Sequence, residues 1–130
     1  MRKHEAFKII FAPRKGKFDS ELVEPGPPAI LTEQGIIFIY NSKNHHVEGD
    51  PELVGGTYSA GQVLLDANDP TKVIARMENN FFKPEKPYEV TGQVNSVSFL
   101  EGLVHFKGKW FLYYGTADSK IAVAVCNKQH

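Results

Sequence analysis

Residues 109–125 read KWFLYYGTADSKIAVAV, and this stretch decides the fold class. An aromatic-rich run is followed by a turn at 117–120 and then by a run of small and β-branched residues, which is the composition of two strands. Strand-type residues also precede it at 94–106, with a bend predicted at Gly102 and a hairpin turn at 107–109. The last third of the chain therefore predicts three consecutive strands.

The same pattern occurs earlier in the chain. Residues 35–41, GIIFIYN, resemble residues 109–115, KWFLYYG, and in both copies a glycine-containing turn precedes the aromatic strand. Repeated units of antiparallel strands are typical of propeller blades, although a sandwich would give similar strands. No segment shows a sustained helical period, so we predict an all-β chain. Further strands are predicted at 7–11, 30–32, 58–65 and 72–77, with turns at 24–28 and 66–71 and a long surface loop at 42–57.

The charge balance excludes some partners. The chain has 15 Lys and Arg residues against 15 Asp and Glu residues, and a neutral chain lacks the basic surface that binds nucleic acid or an anionic membrane. No apolar run reaches the roughly 18 residues that a membrane span needs. The basic residues 1–4 are not followed by an apolar segment, so we read no signal peptide and expect a cytoplasmic protein, with a periplasmic location left open for a longer form.

The sequence gives little evidence for a metal site or a disulfide bond. Cys126 is the single cysteine, which excludes an internal disulfide and a cysteine zinc cluster, and its apolar setting predicts a buried, inert thiol. His45 and His46 are adjacent in a polar loop, and this is not the spacing of a metal motif. We predict no metal and no cofactor.

Four stretches carry a resemblance to a known family. They are PGPP at 25–28 with TEQG at 32–35, IYN at 39–41, YSAGQVLLD at 58–66 with DPTK at 69–72, and YYGTAD at 113–118. In this order they resemble the C-terminal part of glycoside hydrolase family 130, which contains β-mannoside phosphorylases and β-mannosidases. The resemblance covers nearly the whole chain from about Phe7 onward.

The resemblance implies a five-bladed β-propeller with its active site at the central axis. Residues 6–12 would then form an outer strand of one blade, 28–77 the next blade, and 94–126 the inner strands of the last blade. Residues 1–130 would make a single incomplete domain of about one and a half blades. Full-length members of the family are more than twice as long as this chain.

The family's reaction sets what a site must contain. Inverting cleavage of a glycoside needs a carboxylic acid near the leaving oxygen and a nucleophile on the opposite face of the sugar ring. A hydrolase uses water activated by a carboxylate, whereas a phosphorylase uses phosphate held by cations or hydrogen-bond donors. In members of the family, the catalytic aspartate lies in an earlier stretch, and no segment of this sequence is similar to that stretch. We therefore expect an enzyme by resemblance, but an isolated chain that lacks the general acid and is inactive.

Four residues are candidates for holding the substrate: Asp118, Tyr58, Asn95 and Asn41. By resemblance, Asp118 contacts the sugar in the minus-one subsite, whereas its local sequence also fits an aspartate that caps a turn. By resemblance, Tyr58 matches a tyrosine that lies near the phosphate position in phosphorylases. In a hydrolase it could orient a water instead, and the remaining alternative is a half-buried strand residue without a functional role. Asn95 could bond a sugar hydroxyl or cap the strand that follows it.

Asn41 and Glu101 also bear on the type of reaction. Asn41 stands where phosphorylases typically have a histidine that helps to bind phosphate, so we expect hydrolysis, unless Asn41 merely starts a turn or the histidines at 45 and 46 compensate. Glu101 interrupts an apolar stretch, where a buried glutamate is costly unless it is paired or functional. We predict that Glu101 activates water; the alternative is a turn residue that points to solvent.

These observations leave three hypotheses for function. The first is the C-terminal part of a glycosidase that hydrolyses β-mannosides. The second is a β-mannoside phosphorylase, and the third is a non-catalytic sugar-binding or gene-fragment product that lacks the general acid. The expected partners are a β-mannoside oligosaccharide and either the missing N-terminal blades or a second copy, because an incomplete propeller leaves strand edges and blade faces uncovered.

Overall fold

The computed structural model describes residues 7–83, 97–117 and 120–127. Within these ranges the chain forms two antiparallel sheets and no helix, as the sequence predicts. The described residues therefore contain no helix that could cross a membrane. The strands are β1 Leu22–Pro25, β2 Ile30–Leu31, β3 Ile36–Lys43, β4 Tyr58–Asp66, β5 Asp69–Arg76, β6 Ser98–Phe106, β7 Lys109–Thr116 and β8 Ile121–Asn127.

The first sheet has the order β1-β3-β4-β5, and β2 pairs with the beginning of β3. β1 pairs with the end of β3, so β1 and β2 share one edge of that strand and are separated by the turn predicted from PGPP. Gly26 lies at this break and donates its N–H to the Ile39 carbonyl at 3.1 Å. A Cβ on Gly26 would lie 2.8 Å from the same oxygen, so glycine is needed for this close approach.

The second sheet has the order β6-β7-β8. The predicted hairpin turn joins β6 to β7 through Lys107 and Gly108, whose φ angles of 52° and 80° are the positive values that a tight hairpin requires. The bend predicted at Gly102 is a β-bulge between Leu100 and Gly102. Glu101 is the additional residue of this bulge.

Two cores hold the chain together, one on each face of the first sheet. Between the two sheets lie Ile39, Ala60, Leu100, Leu112 and Tyr114, all buried. On the opposite face, buried side chains from β3, β4 and the N-terminal segment form a second core of Phe18, Tyr40, Val63 and Leu65. Because side chains alternate along a strand, neighbouring residues of β3 face different cores.

The structure corrects three expectations. Residues 7–12 form no strand, because none of the described strands pairs with them; Phe11 instead packs its ring against Phe38 and Tyr40. The loop predicted from residue 42 begins later, because β3 continues to Lys43. Cys126 is exposed rather than buried, because it lies on β8 at the edge of the second sheet.

Candidate functional site

The predicted site residue Tyr58 lies at one end of the two sheets. Lys43, the last residue of β3, pairs with Tyr58, the first residue of β4, and Ser98 at the start of β6 pairs with Thr116 at the end of β7. The two sheets meet here because the rings of Tyr58 and Phe99 contact each other edge to face, with centroids 6.1 Å apart. We call this region the Tyr58 end of the sheets.

Tyr58 itself is half-buried and lies beside a cation. The Lys43 ammonium is 5.7 Å from the centre of the Tyr58 ring and 3.4 Å from a carboxylate oxygen of Glu21. A cation over a ring is attracted to its π face. The Tyr58 ring thus contacts both Lys43 and Phe99, and among the described residues its hydroxyl has no hydrogen-bond partner.

Asn41 lies in the interior of β3 and is completely buried, so it does not start a turn. Its Nδ2 donates to the Leu100 carbonyl at 2.8 Å, and its Oδ1 accepts from the Leu100 N–H at 2.7 Å. The carboxamide thus joins β3 to β6, and both of its polar groups are used on the backbone of one residue.

Glu101 follows Leu100 and is exposed. This exposure matches the alternative of a residue that points to solvent, and it arises because the bulge turns Glu101 out of the strand pairing. No described residue forms an ion pair or hydrogen bond with its carboxylate. Its predicted role in activating water stays a prediction.

Asn95 and Asp118 lie outside the described residues, so their predicted sugar contacts stay predictions. β6 is described from Ser98 and β7 to Thr116, both of which belong to the Tyr58 end.

The loop between β3 and β4 is built around Asn44, which is 1% exposed. Its carboxamide bonds the backbone of Asp50, Leu53 and Val54. His45 also serves the loop: its Nδ1 accepts the N–H groups of residues 47 and 48 at 3.0 Å each. The described residues contain no group of three or more His, Cys, Asp or Glu side chains that could hold a metal.

A polar cluster that the sequence does not predict lies on the face of the first sheet away from the second. Asp19 is fully buried, and its Oδ2 accepts from Arg14 Nη2 at 2.8 Å, Arg76 Nη2 at 2.8 Å and the Tyr40 hydroxyl at 2.7 Å. Arg14 also donates through Nε, which makes that pair bidentate. This cluster binds the N-terminal segment to the sheet. No local sequence pattern predicts it, because its members are up to 62 residues apart in the chain (76 − 14).

Ionisation of Tyr40 gives this cluster a pH dependence. Burial, followed by the hydrogen bond to Asp19, raises the pKa of Tyr40 from 10.0 to about 12. The folded state thus favours the neutral phenol, and its contribution to stability is complete below pH 10. It is lost as the pH rises from about 10 to 12, by ~1.4 kcal/mol per pH unit, because the unfolded phenol ionises first. Urea unfolding of the native protein and of Tyr40→Phe at several alkaline pH values checks this; parallel pH dependences of the two would contradict it.

Two antiparallel sheets packed face to face fit a sector of an all-β propeller. A family model described as β-1,4-mannooligosaccharide phosphorylase matches residues 2–130. The chain therefore belongs to glycoside hydrolase family 130, whose fold is a five-bladed β-propeller. The predicted partial propeller of about one and a half blades is confirmed.

Individual relatives agree with this family. A β-1,2-mannobiose phosphorylase of Thermoanaerobacter sp. (strain X514) is 36% identical over 91% of this chain and 36% of its own length. A solved glycosyl hydrolase from Bacteroides ovatus is 51% identical, with a TM-score of 0.91 over 95% of this chain and 34% of its own.

A further solved structure is 48% identical with a TM-score of 0.91, over 95% of this chain and 34% of its own. It is described with the finding that the GH130 family of mannoside phosphorylases contains glycoside hydrolases that target β-1,2 mannosidic linkages in Candida mannan. The chain thus spans about a third of the length of these relatives.

Proposed function

We propose that this chain is the C-terminal part of a GH130 glycosidase that cleaves β-mannosides by inverting hydrolysis. The proposal rests chiefly on Asn41. A phosphorylase must hold a phosphate dianion with cations or hydrogen-bond donors. Asn41 is neutral, and turning its carboxamide toward phosphate would leave the buried N–H and C=O of Leu100 without partners, which is costly.

The residues then take complementary roles. The general acid comes from the region of the relatives that this chain does not span. Glu101 acts as the general base that activates water, and an inverting site would place these two carboxyl groups roughly 6.5–9.5 Å apart to leave room for that water. Asp118 and Asn95 hold the sugar, and the hydroxyl of Tyr58 orients the water.

The second candidate is a β-mannoside phosphorylase. The names of the matching family model and of the Thermoanaerobacter relative support it. Within the chain, the Lys43 ammonium beside Tyr58 is a cation at the position where the resemblance to phosphorylases expects phosphate. Because Lys43 is already paired with Glu21, its ammonium is weaker evidence for a phosphorylase than Asn41 is for a hydrolase.

The reaction type is tested with the complete enzyme, that is, with this chain joined to the region that corresponds to the part of the relatives it does not span. We expect β-mannosides to release free mannose at a rate that does not depend on added phosphate. Formation of mannose 1-phosphate, at a rate that needs phosphate, would establish the phosphorylase instead.

The third candidate, a non-catalytic fragment, concerns the chain on its own. We propose that it releases no mannose alone and that it binds the missing blades or a second copy. Exposed apolar side chains cover the face of the second sheet away from the first: Val104, Phe106, Tyr113, Ile121, Val123 and Val125. Such a face favours association. A monomer by light scattering, with a sharp cooperative melt, would contradict this.

A further inference from the structure

We propose that Asn41 is a positioning residue for the reaction: by holding both backbone polar groups of Leu100, it fixes the bulge that carries Glu101. This inference rests on the hydrolytic function proposed above. It assigns to Asn41 a role different from a direct contact with substrate or phosphate.

The direction of the β6 backbone at Leu100 supports this role for Asn41. In an antiparallel ladder, the N–H and C=O of one residue point to the same side of the strand. Leu100 directs both groups to Asn41, on the side of β6 away from β7. A side-chain carboxamide has the donor and acceptor of a peptide group, so Asn41 replaces one residue of a neighbouring strand at this edge.

The second argument is that Leu100 is held from two directions. Its side chain is fully buried in the core between the sheets, while its backbone is bonded to Asn41. The exposed Glu101 is one peptide unit further, about 3.8 Å from Cα to Cα. Bulges aim a side chain by a local change of backbone direction, so the position of the Glu101 carboxylate depends on how firmly Leu100 is held.

A double-mutant cycle in the complete enzyme tests this coupling. We expect Asn41→Ala to lower kcat by about 10–100-fold with KM nearly unchanged, because a displacement of about 1 Å in a catalytic group can have an effect of this size. In the Glu101→Gln background the same change should cause almost no further loss. Equal losses in both backgrounds, or a rise in KM alone, would overturn the proposal.

Ser42 offers a matched control. It is the next residue of β3 and is also fully buried, but its Oγ donates to the Ser59 carbonyl at 3.0 Å within the first sheet and does not bond β6. Ser42→Ala should therefore leave kcat of the folded enzyme unchanged. A loss of kcat as large as that of Asn41→Ala would show that any buried polar change in β3 has this effect, and would also overturn the proposal.

A second variant and a second measurement keep the proposal testable if Asn41→Ala folds poorly. Asn41→Asp keeps the shape and the acceptor but loses the donor at neutral pH. Its kcat deficit relative to the native enzyme should shrink as acidification protonates the introduced carboxyl; a deficit independent of pH would count against the proposal.

Amide hydrogen exchange at Leu100 is the readout that does not depend on catalysis. We expect slow exchange in the native enzyme and in Ser42→Ala, and clearly faster exchange in the Asn41 variants. Unchanged exchange would overturn the inference. If Glu101→Gln alone keeps full turnover, the proposed role of Glu101 in activating water fails, while the phosphate dependence still decides the proposed function and the exchange result still decides whether Asn41 holds Leu100.

Discussion

Replacement of Asp19 by alanine is expected to lower the free energy of unfolding by about 3–5 kcal/mol. Asp19 is fully buried and accepts hydrogen bonds from Arg14, Arg76 and Tyr40. Removal of its carboxylate leaves two guanidinium groups, 20% and 14% exposed, without their common anion. Breaking a buried ion pair by removing one partner is strongly destabilising, because the remaining charge is uncompensated.

Urea unfolding followed by the fluorescence of Trp110, the single tryptophan, measures this loss. Because Trp110 lies in the second sheet, the signal reports cooperative unfolding of the chain rather than a local change near Asp19. Glu48→Gln is the control: the Lys15–Glu48 pair, at 3.9 Å, is solvent-exposed and lies outside the Asp19 cluster, so its loss should change stability very little. Equal losses in the two variants would show that burial is not what makes the Asp19 cluster important.

The second large effect is expected on turnover. In the complete enzyme, Glu101→Gln should lower kcat for mannose release by about 10²–10⁴-fold, which is the usual contribution of a general base. Glutamine keeps the size of the side chain but cannot accept the proton of water. KM should change little, because the predicted sugar contacts belong to other residues.

Glu33→Gln is the matched control for this loss. Glu33 is also exposed, but it precedes β3, at the end of the strand opposite Lys43. Its replacement should leave turnover unchanged. If Glu101→Gln turned over mannosides as fast as the native enzyme, Glu101 would have no part in activating water.

Much of the fold could be predicted because its signals are local. The apolar and aromatic runs at β3 and β7, the prolines after β1 and the glycine of the bulge act on their own segment of backbone. The predicted strand at 7–11 failed for the opposite reason: a strand needs a partner, and none of the described strands supplies one.

The site was predicted less completely, because its contacts are not local. Asn41 and Leu100 are 59 residues apart, and no pattern in a single sequence pairs them. The sequence therefore indicated Asn41 as a changed ligand but not its bonds to β6. The apolar neighbours of Glu101 left open whether its side chain points to solvent, and the bulge that exposes it depends on pairing with β7.

The account depends most on the claim that the sugar binds at the Tyr58 end of the two sheets. A crystal structure of the complete enzyme carrying Glu101→Gln, with a bound β-mannoside, tests it most directly. The sugar or its attacking water should lie about 3 Å from the Tyr58 hydroxyl, with Asn41 still bonded to Leu100. A sugar bound at the opposite end of the sheets, beside Trp110, would contradict the account.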